Sequence, residues 1–86
     1  MSIRETLAAQ SPESMVLDGL DEALVGVVYR FGQIPLAAYD RSKILEILMR
    51  DGIGRQEAIE YFEYNIIGAW VGEGTPVFIE LSDQSK

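Results

Sequence analysis

The chain has 86 residues, room for one small domain and no second, and a chain this short buries a modest fraction of its surface, so its stability margin is thin. It has no Cys, which excludes a disulfide framework and thiolate chemistry, and no His, which removes the commonest general base and the commonest metal ligand. Seven basic residues against 14 acidic ones give a net charge of −7, which argues against direct nucleic-acid binding and against docking on anionic membranes, since both need a basic patch.

Residues 1–14, MSIRETLAAQSPES, are small and polar. Ile3 and Leu7 stand i,i+4 apart, so the stretch reads either as a short docking helix or as a mobile arm ending at Ser11-Pro12. Residues 15–86 read as a single α+β domain. The first element in it, within residues 20–39, is ambiguous. Leu20, Leu24, Val27 and Phe31 fit a helix, but Gly26 and the run Val25, Val27, Val28, Tyr29 favour a strand over 23–31. In that strand Val25, Val27, Tyr29 and Phe31 share a face. Gly32-Gln33 turns the chain, Pro35 fits a strand end, and Leu36 to Tyr39 return as the second strand of a hairpin.

Asp40 is placed to cap a helix from Arg41 to about Arg50, its carboxylate accepting from the N–H of Ser42 or Lys43. That helix carries two apolar stripes, Ile44/Ile47/Leu48 and Leu45/Met49. Either it is wedged between the sheet and a second helix, or Leu45 and Met49 form a homodimer interface, which the high apolar content of 48% also favours. Asp51-Gly52 ends the helix, and Gly54 starts the next without a side-chain cap. On the second helix Ala58, Ile59, Phe62, Ile66 and Ala69 form a core stripe. Gln56, Glu60 and Glu63 face water, with Tyr61, Tyr64 and Asn65 on the border. Gly68, Gly72 and Gly74 end this helix between Asn65 and Gly72, since each Gly costs a helix about 1 kcal/mol relative to Ala. Thr75-Pro76 opens an extended segment, and Val77 to Leu81 form the last strand. The order β-β-α-α-β predicts an α+β fold: a three-stranded, mostly antiparallel sheet with a helical hairpin on one face. No apolar run approaches the roughly 18 residues of a membrane span, and no signal peptide is visible, so a cytoplasmic location is expected.

The run Tyr39-Asp40, Lys43, Ile47-Leu48-Met49, Asp51-Gly52, Glu57-Ala58, Glu60-Tyr61-Phe62, Tyr64-Asn65, Gly68-Ala69-Trp70-Val71-Gly72-Glu73 and Thr75-Pro76 resembles a family of small, uncharacterised proteins of tailed bacteriophages and prophages. The likeness covers about Ala23 to Phe78, and FEYNIIGAWVGEGTP is its most specific part. This chain departs at Gly54, where the family more often has Ser or Thr as a cap. The resemblance implies a phage-derived origin and brings no activity or functional residues.

Tyr61, Tyr64, Asn65 and Trp70 are the candidate binding residues, an aromatic-polar strip that can stack a base or a partner side chain. The competing reading is that they close the edge of a small core. Gly68, Gly72 and Gly74 follow a helix rather than precede one, so turn geometry explains them better than a phosphate loop. Glu57, Glu60, Glu63 and Glu73 are a metal or acid–base possibility, but they spiral around the helix and suit a solvated face. No cofactor is expected, and the leading functional expectation is a non-enzymatic phage accessory protein. Its partner would be a host protein, and inhibition of a host defence system is the specific form of that reading. The alternative is a small-molecule protein that binds a nucleotide signal in an aromatic pocket, against which stands the lack of clustered Arg or Lys near the rings. A carboxylate-and-metal hydrolase is the third reading and the weakest.

Overall fold

The computed structural model describes residues 2–68, 72 and 74–81. Ala69, Trp70, Val71 and Glu73, which figure in the reading above, lie outside the described residues. Helix α1 spans Ile3–Gln10, and a single 3-10 turn, Asp21–Ala23, leads into strand β1, Leu24–Val28. Strand β2 is Leu36–Asp40, helix α2 Arg41–Met49 and helix α3 Arg55–Tyr61. Helix α3 continues as a π-helical segment, Phe62–Ile67, and strand β3, Val77–Ile79, closes the order.

The protein is α+β, with the order β-β-α-α-β behind the N-terminal helix. The sheet has three strands in the order β1-β2-β3. It is mixed rather than mostly antiparallel: β1 and β2 are antiparallel, but β2 and β3 are parallel. The reason is the connection. A strand that returns beside its predecessor in the same direction needs a crossover of a dozen or more residues, commonly helical, and α2–α3 is that crossover.

Strand β1 is shorter than the expected 23–31 span. Leu24 pairs with Tyr39 but Gly26 pairs with Ala38, so Val25 is an extra, bulged residue. The bulge breaks the alternation, so Val25, Val27, Tyr29 and Phe31 do not share a buried face. Leu24 and Val27 pack on the core, while Val25 is exposed. The chain leaves β1 at Tyr29 and turns through Arg30–Gln33, where Gln33 N–H donates to the Arg30 carbonyl at 3.1 Å and Gly32 takes φ +75°. The last strand stops at Ile79, and Leu81 lies beyond it, exposed.

The N-terminal stretch forms a docked helix. Ser2 and Glu5 make a reciprocal capping box at its start. Leu7 is buried in the core, and Ile3 packs against it. The following loop is fastened at three points. Ser14 Oγ donates to the Pro35 carbonyl, Met15 N–H to the Gly74 carbonyl at 2.9 Å, and Leu17 N–H to the Tyr39 hydroxyl at 2.7 Å.

Tyr39 stacks on Phe78 at a ring separation of 6.1 Å, and Phe78 meets Phe62 edge to face at 5.3 Å. This aromatic row joins β2, β3 and the end of α3, with the Arg41 guanidinium 5.5 Å from the Phe62 ring centre. Ala58, Phe62 and Ile66 are buried, with Ile59 packed beside them. Asp40 caps α2 by accepting from Ser42 N–H at 2.9 Å and Lys43 N–H at 3.4 Å.

Leu45, one of the two residues expected at a dimer interface, is not available to one. Leu45 has no exposed surface within the single chain, and Met49 is half-buried against the core. Helix α2 packs on β2, on α3 and on the 3-10 turn before β1, which bury Ile44 and Leu45 fully and Ile47, Leu48 and Met49 in part. It is wedged, the first of the two arrangements that its pattern allowed.

Candidate functional site

The border strip of the second helix presents two tyrosines and an amide to water. Tyr61 is the last residue of α3 and is half exposed; Tyr64 and Asn65 lie in the π-helical segment, and both are exposed. Trp70 lies outside the described residues, so the described part of the strip is Tyr61, Tyr64 and Asn65.

The π-helical geometry closes at Gly68, whose N–H donates to the Glu63 carbonyl at 3.1 Å, an i→i+5 bond. A Cβ on Gly68 would lie 3.0 Å from that same carbonyl oxygen and 3.2 Å from the Tyr64 oxygen, so Gly suits this close approach. The wider turn keeps Phe62 and Ile66 buried while it leaves Tyr64 and Ile67 exposed. Segments of this kind recur at functional sites.

Two depressions flank the strip. The larger, about 470 Å³, is a groove between residues 16–20, α2 and the π-helical segment. Its lining is largely apolar, from Val16, Leu17, Leu20, Ile47, Leu48 and Ile66, with Tyr61, Asn65, Asp18 and Gly19 completing it. The smaller, about 290 Å³, is lined by Ile53, Glu57, Glu60, Tyr61, Tyr64 and Asn65. Tyr61 and Asn65 line both, and so form the ridge between them.

The charge at this site has one sign. Asp18 lines the groove and Glu57 and Glu60 the smaller depression, and among the described residues no Lys or Arg lines either. Next to the groove the basic residues are already engaged. Arg4 bonds Asp21 at 2.8 Å and the Leu17 carbonyl at 3.2 Å, and Arg50 bonds Glu22 at 2.6 Å. The Arg50 guanidinium holds the Glu22 carboxyl below its usual value, chiefly through that hydrogen bond. Asp18 keeps a fully exposed side chain at the lip, where its carboxylate forms a loose ion pair with Arg4 at 3.6 Å. A groove with apolar walls, an amphipathic Tyr on its ridge and a carboxylate at its lip suits an apolar side chain flanked by a basic group.

Residues 16–20, Ile47 and Leu48 were not expected at a site. The sequence held one signal for the first group, the Asp18-Gly19 turn between Leu17 and Leu20, where Gly19 takes φ +83°. Ile47 and Leu48 read as core from their spacing, and only partial burial marks them as groove wall. The other glycines act as turn and packing residues. Gly72 takes φ +107°, and a Cβ on Gly74 would sit 2.5 Å from the Glu13 carbonyl oxygen, so the chain there touches the N-terminal loop backbone to backbone. Among the described residues no group of three or more acidic side chains is gathered to hold a metal ion, and no helix is long and apolar enough to cross a membrane.

Comparison of the chain with protein-family models, with curated proteins and with solved structures finds no match.

Proposed function

We propose that this is a non-enzymatic, phage-derived accessory protein that acts in the host cytoplasm by binding a host protein, with a component of a host defence system as its target. The single observation that carries the binding reading is the open, largely apolar groove beside the Tyr61–Asn65 ridge, with the Asp18 carboxylate on its lip. A small domain that leaves Ile47 and Leu48 only partly buried along an open groove forgoes burial worth about 25 cal/mol per Å². A partner that fills the groove recovers it. The net charge of −7 directs the choice of partner toward a basic surface, including the nucleic-acid-binding face of a host protein. The resemblance to phage and prophage proteins supports the host setting. A nucleotide signal fits less well, because the carboxylates beside the rings repel phosphate and, among the described residues, no cation lines either depression.

The test is capture from host lysate with the wild-type protein and with Tyr61→Ala, followed by mass spectrometry of bound proteins and bound nucleotides. Tyr61 is half exposed, so the variant should keep its melting temperature. A basic host protein retained by the wild type and lost by Tyr61→Ala is the expected result. Retention of that protein by the variant would move the interface elsewhere, and a bound nucleotide with no protein would replace this reading with the small-molecule one.

A further inference from the structure

The hairpin tip between β1 and β2 carries Tyr29, Arg30 and Phe31, and Phe31 is wholly exposed, at 104%. The tip is a formed turn and not a loose loop. Its ends are tied by the Gln33-to-Arg30 backbone bond, Gly32 supplies the positive φ, and the Tyr29 hydroxyl donates to Gln10 of α1 at 2.9 Å. The turn fixes the backbone that carries the exposed ring, so little backbone freedom is lost when the tip docks. Arg30 beside it takes part in no ion pair among the described residues.

The groove is complementary to this tip in both chemistry and size. It is lined by Leu17, Leu20, Ile47 and Leu48, and at about 470 Å³ it has room for a phenyl ring. Its lip carries Asp18, whose fully exposed carboxylate, loosely paired with Arg4 at 3.6 Å, can also accept from Arg30. The tip cannot reach the groove of its own chain. Residues 16–20 precede the start of β1 and the tip follows its end, and the five residues of the strand separate them by roughly 17 Å.

We propose that the occupant is a second copy: the Arg30-Phe31 tip of one molecule docks in the groove of another. Because tip and groove lie at opposite ends of β1, two copies running antiparallel place each tip at the other's groove. The exchange is reciprocal and closes a two-fold dimer. Few residues are buried at each contact, so the dimer is reversible, in the range of small transient interfaces. Self-association then covers the same groove that the partner of the preceding section uses, so dimer and partner compete.

Light scattering up to about 1 mM tests this, a range that detects millimolar dissociation constants. The wild-type mass should rise from 9.6 kDa toward twice that value with concentration. Phe31→Ala should stay monomeric with an unchanged melting temperature, since the ring touches nothing in the monomer. Arg30→Glu and Asp18→Lys should each be monomeric alone, through like-charge contacts at both sites. Mixed together they should dimerise as the wild type does, because each site then has opposite charges. A wild type that stays monomeric throughout, a Phe31→Ala that associates as the wild type, or a mixture no better than its components would overturn the proposal. The inference uses the groove but not the host partner. Phe31→Ala should still capture that partner, so failure of self-association and failure of capture are read separately.

Discussion

Tyr39→Phe isolates one hydrogen bond on which the placement of the N-terminal segment depends. The Tyr39 ring is fully buried, and its hydroxyl accepts from Leu17 N–H at 2.7 Å. Leu17 is itself buried, at 6% exposure, so its amide has no ready access to water. The substitution keeps the ring and its stacking on Phe78 but removes the acceptor. A buried N–H left unpaired costs about 1–3 kcal/mol. In a domain this size 1 kcal/mol moves the melting temperature by about 4–8 °C, so a mid-range cost of about 2 kcal/mol corresponds to a fall of roughly 8–16 °C. Thermal unfolding followed by circular dichroism gives the shift, and amide exchange at Leu17 locates it. The same hydroxyl shapes the alkaline limb of stability. Burial pushes the Tyr39 phenol above its ordinary value, so its folded pKa exceeds its unfolded one. That contribution is complete below about pH 10 and is lost as pH rises through the folded value. Tyr39→Phe should therefore flatten that limb. An unchanged melting temperature together with unchanged protection at Leu17 would refute the reasoning and detach residues 15–20 from the sheet.

Two further predictions rest on single contacts. Phe62→Ala should cost about 3–5 kcal/mol, because the ring is fully buried and meets Phe78 edge to face; chemical denaturation measures it, and a loss below 1 kcal/mol would mean that the aromatic row is not the centre of the core. Glu22→Gln should weaken the acid dependence of stability. Arg50 depresses the folded pKa of Glu22, so its contribution is present above the unfolded value of about 4.3 and is lost as pH falls through the folded one. Parallel acid titrations of wild type and variant check this, and coincident curves would show that the Glu22–Arg50 pair is not formed in solution.

The groove gives the N-terminal segment a role beyond stability. Arg4 holds the Leu17 carbonyl and Asp21, and Tyr39 holds the Leu17 amide, so one wall of the groove is positioned by a helix that precedes it and a strand that follows it. Changes at α1 should reach the binding surface through Leu17 without touching a partner.

What the sequence determined by itself was local. Asp40 and the spacing of Ile44, Leu45 and Leu48 specify a capped amphipathic helix wherever the chain goes. The Ala58, Phe62, Ile66 stripe is a property of helical spacing alone, and so is the exposure of Gln56, Glu60 and Glu63. Tyr61, Tyr64 and Asn65 could be picked out for the same reason, since they border that stripe. Tertiary structure decided whatever depends on a neighbour distant in sequence. The parallel pairing of β2 with β3 follows from the path of the helical crossover, which no strand encodes. The bulge at Val25 appears only against the register of β2. Leu45 and Met49 read as surplus on an isolated wheel, but β2, α3 and the turn before β1 bury Leu45 fully and Met49 in part. The groove is made from residues 16–20, 47–48 and 61–66, three separate segments. Helical periodicity reports which side of one element is apolar; only packing reports whether another element covers it, and here an open groove remains between them.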